Sequence, residues 1–547
     1  MAKIASKDKS TALKAGTKAP ASNKRAGKSP IGAKAKNVIA PGGGRGTELK
    51  AKSELFLTAV TTFAGEKNFY ESGQARIDRI VSLVHGITKK DPDWMERFVA
   101  WLRGPDANIR TASIIIAAEY VAAGGPNGRK VIDSVCQRAE EPAEVLSWWM
   151  QNHYGWETGT HPIPSPKLPQ ALRKGLSDAV RRLYNEYTAM KYNGSGNALG
   201  MAEVLNLIHP KPVDDHQSAL FSYIIDRSYG NDVVTDGLPM IAANHALRDL
   251  TPAQFRKQMD ADAMKKAGVT WEQVAGYLGG GWDAAAWEAV IPTMGYMALL
   301  RNLRNFEKAG ISTAMQDYVI QRLTDPEGVA NSRQLPFRFL SAYKNVASHT
   351  YTRALEQALD LSVSNITAFQ GKTLAVVDVS GSMDVHLSNP NNKDRYGYTT
   401  PDVTRPKRWE VGSLFATALA LKGENVDLII FGSTSKKITV PAGSSVLKGM
   451  ERCAGNQGVG HGTQTNSAIA QHYKGHDRVV IFTDVQPNRG QQVNQPEIPF
   501  IHYFDLSGNG TGAADLNQPG RFQYGGFTDS TFKLMSLLET GNGEWPF

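Results

Sequence analysis

The chain has 547 residues, 61 Lys/Arg against 52 Asp/Glu, a formal charge of +9 and 41% hydrophobic residues. This length exceeds one typical domain and alone suggests about three or four, with apolar content enough for sizeable cores. Only Cys136 and Cys453 are present and no C-x-x-C occurs, which excludes a disulfide framework and points to a reducing, cytoplasmic setting. No apolar run is long enough to span a bilayer and no signal-peptide core opens the chain, so a soluble protein without a membrane partner is expected.

The charge is unevenly placed. Residues 1–47 carry eleven Lys/Arg and a single acid, Asp8, a balance of +10, whereas residues 371–547 carry sixteen of each sign. The stretch between them is left at −1, so the basic character belongs to the N-terminal segment. Residues 1–48 are rich in Lys, Ala, Gly, Ser and Pro and are expected to form a disordered basic tail. Such a tail serves as an arm for nucleic acid or another polyanion, or is simply a solvated extension.

Residues 49–370 read as helix after helix. Ile77, Ile80, Val81, Val84 and Ile87 recur at helical spacing, as do Trp94, Phe98, Trp101 and Leu102. Ile109 to Val121 is almost wholly apolar and predicts an interior helix. Leu168 to Met190 predicts one long helix, basic on one side. Pro and Gly punctuate the stretch at short intervals, which predicts an irregular α-solenoid of paired helices.

From Gly371 the pattern changes. Apolar runs at 373–377, 426–431, 479–482 and 499–504 alternate with helical stretches near 408–422, 464–473 and 528–539. Residues 371–547 are therefore expected to form an α/β unit, a doubly wound parallel sheet covered on both faces. Open sheets of this kind place ligands at the carboxyl ends of their strands.

Asp378-Val379-Ser380-Gly381-Ser382 lies at such a strand end, Thr463 lies in a Gly-rich loop, and Asp484 follows the run Val479–Phe482. Two carboxylates and three hydroxyls offer the hard oxygens that Mg²⁺ prefers. An isolated Asp-Ser turn can equally cap a helix, and Thr465 is an alternative to Thr463. Together Asp378, Ser380, Ser382, Thr463 and Asp484 resemble the metal-ion-dependent adhesion site (MIDAS) of von Willebrand factor A domains. That resemblance implies a divalent cation, Mg²⁺ in the first place, with a coordination position open to an acidic protein ligand.

Further segments carry a second resemblance. Met297-Ala298-Leu299-Leu300-Arg301-Asn302-Leu303-Arg304 after Pro292, the turn Leu207-Ile208-His209-Pro210-Lys211-Pro212, Arg333-Gln334-Leu335-Pro336-Phe337 and Lys372 through Ser382 are similar, in kind and order, to the TROVE family typified by the Ro ribonucleoprotein autoantigen. The likeness spans about residues 50–547. It implies a closed ring of HEAT-like α-helical repeats followed by the A-type domain. It also implies small structured noncoding RNA (Y-type RNA) on the outer surface and single-stranded ends of misfolded or 3′-extended RNA in the central hole. The bound RNA can tether an exoribonuclease in bacterial relatives, and the family has no established enzymatic activity. Lys191-Tyr192 and His209, with Lys211, match the outer-surface contact. Asn193-Gly194-Ser195-Gly196 stand where the family has an Arg.

Plainer readings stand beside these. His209 is also placed to end a helix. Arg301 and Arg304 either hold phosphate or pair with nearby acids. The basic run that includes Arg181 and Arg182 either meets RNA or is a solvated face. Enzyme motifs are missing: there is no phosphate loop, no H-E-x-x-H and no G-x-S-x-G, and two carboxylates are thin support for a two-metal nuclease. The expected function is non-catalytic RNA binding, for RNA quality control or maturation. The alternative is a metal-dependent interaction scaffold. The polar loop from Asp384 to Arg408 either covers the metal face or is a surface excursion.

Overall fold

The computed structural model describes residues 36–39, 45–48, 51–61 and most of 73–547. Breaks fall at 106, 158–162, 164–166, 193–198, 280, 364–365, 367–368, 387, 394–398, 402–404, 455–457, 485–496, 507–519, 526–531, 533–534, 537, 540–544 and 546. Most of the expected basic tail therefore lies outside the described residues. Near its end, β1 (Lys36–Ile39) and β2 (Arg45–Glu48) pair antiparallel.

Among the described residues from Ala51 to Ser362 every regular element is α-helical except the 3-10 turn at Ile291–Thr293. The helix Pro92–Arg103 shows how the sequence starts such elements. Asp91 caps it by accepting from the Trp94 amide at 3.1 Å, and Pro92 opens the first turn. Its buried face carries Trp94, Met95, Phe98, Val99 and Leu102. The helix Arg110–Ala122 is buried from Ala112 to Val121, as its apolar composition predicts. Its one buried acid, Glu119, is satisfied by Trp148 Nε1 at 2.8 Å and by His85 and His153 at 2.8 and 3.0 Å.

The single long helix expected over Leu168–Met190 is two, Gln170–Leu183 and Glu186–Tyr192. Asn185 interrupts it: its side chain accepts from the Thr188 amide at 3.0 Å, and Thr188 Oγ1 accepts from the Asn185 amide at 2.9 Å. This reciprocal cap restarts the helix on a new axis.

The C-terminal unit is built on six strands: β3 (Lys372–Asp378), β6 (Asn425–Phe431), β7 (Ser435–Ile438), β8 (Arg478–Thr483), β9 (Phe500–Asp505) and β10 (Arg521–Gly525). Their order is β10-β9-β8-β3-β6-β7, parallel throughout except for β6 against β7. The exception corrects the expectation of an all-parallel sheet. Only Gly432-Ser433-Thr434 join β6 to β7, and a link that short cannot make the crossover a parallel pair requires. Residues alternate across the sheet. Leu374, Val376, Ile429 and Ile481 face Ala468 and Ile469 of the helix Thr465–His472. Ala375, Val377, Ile430 and Phe482 join the core that contains Val411, Leu414 and Phe415 of the helix Arg408–Lys422.

The polar loop after Asp384 contains a ribbon, β4 (Ser388–Lys393) paired antiparallel with β5 (Thr399–Pro401). Its polar, Asn- and Pro-rich composition hides it from a hydrophobic-pattern reading.

The sheet unit touches both ends of the helical array. Trp545 lies 5.5 Å from Phe56 and 5.0 Å from Trp94, ring centre to ring centre, and Phe547 lies 5.5 Å from Phe98. At the other end, Lys344 binds both carboxylate oxygens of Glu410 at 2.7 Å, and the Val446 amide donates to Asp360 at 2.9 Å. The helical array is thus closed on itself through the sheet unit. Among the described residues, no helix is long and apolar enough to cross a membrane.

Candidate functional site

Strand order reverses between β3 and β8, since the chain leaves β3 toward β6 on one side and returns as β8 on the other. Such a switch point opens a crevice at the carboxyl ends of the two strands. Asp378 is the last residue of β3, and Asp484 directly follows β8. Both are fully buried.

Asp378 Oδ1 accepts from the Ser380 amide at 2.9 Å, and Oδ2 accepts from Thr483 Oγ1 at 2.8 Å. Ser380 Oγ stands 3.2 Å from Ser382 Oγ. The loop with Thr463 is tied to this turn, because the Gly381 amide donates to the His461 carbonyl at 3.2 Å. It is also pressed onto the end of β6: a Cβ on Gly432 would stand 2.0 Å from the Gly460 carbonyl oxygen. Thr463 and Thr465 are both buried, Thr463 on the loop and Thr465 as the first residue of its helix. The five expected residues therefore meet on one edge.

The electrostatics of this edge are those of crowded anions. Burial pushes Asp378 up to about 6, the neighbouring Asp484 carboxylate acts in the same direction, and the bonds from Ser380 and Thr483 oppose them. Arg408 reaches in, its Nη1 3.5 Å from Asp484 Oδ2 and 3.4 Å from the Ser382 carbonyl. Two buried carboxylates ringed by hydroxyls make a donor set suited to a small hard cation. Among the described residues no cluster of three or more His, Cys, Asp or Glu could hold a metal, so an ion here would draw on the Ser and Thr oxygens. Sequence reasoning missed Arg408 and Thr483. Thr483 could have been found, since it ends β8 directly before Asp484. Arg408 carries no local signal, because only the sheet brings it to Asp484.

The basic and aromatic candidates fall into three groups. Lys191 closes the helix Glu186–Tyr192, with its ammonium 5.7 Å from the Tyr187 ring and 5.1 Å from the Tyr192 ring. Lys191 is exposed and Tyr187 is 40% exposed. His209 ends the helix Met201–Ile208 with φ 48°, and its amide donates to Leu205 O at 2.9 Å. The plainer helix-end reading thus holds for its backbone, while its side chain is exposed together with Lys211.

Arg181 and Arg182 differ. Arg181 pairs with Asp178, and Arg182 pairs with Asp133 while donating to the Cys136 carbonyl. Arg182 thus joins two helices, whereas the Arg181 pair lies within one helix. Arg301 and Arg304 are exposed on the helix Tyr296–Ala309, opposite buried Leu299, Leu303 and Phe306. Arg301 shares a surface with Arg338 and Arg405. Burial and then repulsion by these two neighbours hold the Arg338 guanidinium below its ordinary value.

Fold and motif together define a closed helical array joined to an A-type sheet unit, and the TROVE domain model matches residues 242–383. The fold is that of Ro: the chain superposes on the crystal structure of the Deinococcus radiodurans Ro (RSR) protein with a TM-score of 0.63 at 17% identity, over 90% of this chain and 100% of that one. It is 28% identical over 217 residues to "RNA-binding protein RO60" of Deinococcus radiodurans, 36% of this chain and 38% of that protein. It is also 40% identical over 79 residues to "Telomerase protein component 1" of Mus musculus, 14% of this chain and 3% of that protein. The matched stretches thus span well under half the length of these curated relatives.

Proposed function

We propose that this chain is a non-catalytic RNA-binding protein of the Ro kind. It takes small structured noncoding RNA of the Y type on its outer surface and single-stranded ends of misfolded or immature RNA within the closed array. The observation that carries this reading is the 217-residue likeness to a relative named as RNA-binding. Exposed Tyr187 and Lys191, half-buried Tyr192, and exposed His209 and Lys211 supply the chemistry: cations for phosphate and aromatic faces for unpaired bases. Arg301 and Arg304 are assigned to single-stranded ends. Bound RNA is the element through which an exoribonuclease would be recruited. Both cysteines are free and buried, which supports a cytoplasmic setting.

The sheet unit adds a second function at its carboxyl edge. Asp378, Ser380, Ser382, Thr463 and Asp484 would hold Mg²⁺, which supplies a Lewis-acidic anchor for an acidic side chain of a partner. The buried pair Asp378 and Asp484 favours this reading, since two adjacent buried carboxylates gain from a shared cation.

The test is crosslinking of the full chain in cells and sequencing of the bound RNA, followed by filter binding. One abundant stem-loop RNA, bound more weakly after Lys191→Ala and His209→Ala and unchanged after Asp378→Ala, is the expected result. Only diffuse RNA, lost on deletion of residues 1–47, would sink the reading and leave the metal-dependent scaffold.

A further inference from the structure

A cavity of about 790 Å³ opens beside the exposed face of the helix Tyr296–Ala309, where it meets the turn before the helix His349–Ser362. Arg304, Glu307 and Lys308 line it from the first helix, Lys344 and the backbone of residues 345–348 from the turn side, and Tyr351 from the second helix.

The charges in this cavity are not balanced from within. Glu307 is spent on the turn, accepting from the Ala347 amide at 3.1 Å and from the Ser348 amide at 2.5 Å. Lys344 is committed to Glu410. Among the described residues Arg304 and Lys308 make no ion pair, and both are exposed. The cavity therefore presents two uncommitted cations. The lining also includes Tyr351. Tyr351 is 2% exposed, and its hydroxyl has no hydrogen-bond partner. A buried hydroxyl left unsatisfied costs about 1–3 kcal/mol, which favours a ligand that supplies it with a polar atom.

We propose that this cavity binds a phosphate monoester of nucleotide size. Arg304 and Lys308 take the phosphate near the mouth, and the Tyr351 hydroxyl bonds a polar edge of the nucleoside. Size decides against bare phosphate, because the volume lies in the range of pockets that enclose a small organic molecule. The same chemistry is carried by a free nucleotide and by the phosphorylated end of an RNA strand. The proposal does not depend on the outer-surface RNA reading, since a free nucleotide tests it alone.

The experiment is titration calorimetry on the full chain with AMP, adenosine, inorganic phosphate, and one short oligoribonucleotide with a 5′-phosphate or a 5′-hydroxyl. A phosphate-bearing ligand should bind at least about tenfold more tightly than its phosphate-free counterpart, the worth of a charge-assisted hydrogen bond. Arg304→Gln and Lys308→Gln should each weaken it about tenfold and Tyr351→Phe about threefold. Lys308 is a surface residue, so its variant reports binding without loss of the fold. AMP binding identifies a free nucleotide as the source. Binding confined to the 5′-phosphorylated strand, with the same dependence on Arg304 and Lys308, identifies an RNA end. Equal binding of ligands with and without phosphate, no binding by any of them, or indifference to both cation variants would overturn the proposal.

Discussion

At the scale of single residues, the structure separates cations that hold the protein together from cations offered outward. Arg182 bridges to Asp133 and the Cys136 carbonyl, whereas Lys191 lies between two tyrosine rings at the surface. Filter binding should therefore show RNA affinity falling with Lys191→Ala and His209→Ala. Arg182→Ala should leave that affinity within about twofold and lower stability by up to about 1 kcal/mol, the range of partly exposed pairs. Asp178 offers a pH signature. Hydrogen bonds from Arg129 and then Arg181 outweigh burial and hold its carboxyl below the usual range. A depressed carboxyl contributes stability that is full above its unfolded value near ~3.9 and is lost as pH falls through the folded value. The urea midpoints of the native chain and Asp178→Asn should differ at pH 7 by less than about 1 kcal/mol and converge in strong acid. A gap that persists or widens in acid would contradict the assignment. The basic run was legible in sequence, but which of its members are spent was not. Arg181 meets Asp178 within its own helix, but Asp133 becomes a neighbour of Arg182 only when the helix Gln170–Leu183 packs on the helix Gly128–Val135.

At the scale of elements, one short path joins the helical array to the metal edge. Lys344 grips Glu410 in the first turn of the helix Arg408–Lys422, and Arg408 in that same turn reaches Asp484. Arg408 thus stands as a tethered cation beside the carboxylates proposed to share a metal. Calorimetry with Mg²⁺ should show tighter binding for Arg408→Gln than for the native chain, and none for Asp378→Ala. Unchanged Mg²⁺ affinity in Arg408→Gln would remove Arg408 from this role. Lys344→Ala leaves the nearly buried Glu410 carboxylate without its cation, so a loss of about 1–3 kcal/mol is expected in chemical denaturation.

At the scale of the whole molecule, closure depends on the aromatic seam between Trp545, Phe547 and the rings of Phe56, Trp94 and Phe98. Aromatic pairs contribute about 0.5–1.5 kcal/mol beyond their burial. Trp545→Ala with Phe547→Ala should raise amide exchange in the helix Pro92–Arg103, and unchanged protection there would show that the seam does not close the array. The +10 tail acts on a body near neutrality. Deleting residues 1–47 should flatten the salt dependence of RNA affinity while leaving a preference for one RNA intact.

The sequence by itself determined the elements and their broad kinds. Helical periods and continuous apolar runs come from local geometry and burial, so the helical array, β3, β6, β8 and β9 were all readable. So were the Asp-Ser turn and Asp484, because strand ends on a parallel sheet fall on one edge whatever the details of packing. Composition likewise revealed the charge of the tail. Only the tertiary structure decided the contacts between distant segments: Arg408 beside Asp484, Lys344 on Glu410, Trp545 and Phe547 against the first helices, and the cavity around Arg304 and Tyr351. These depend on how whole elements are placed against one another. A periodicity reports which face of an element is buried, not which partner covers it.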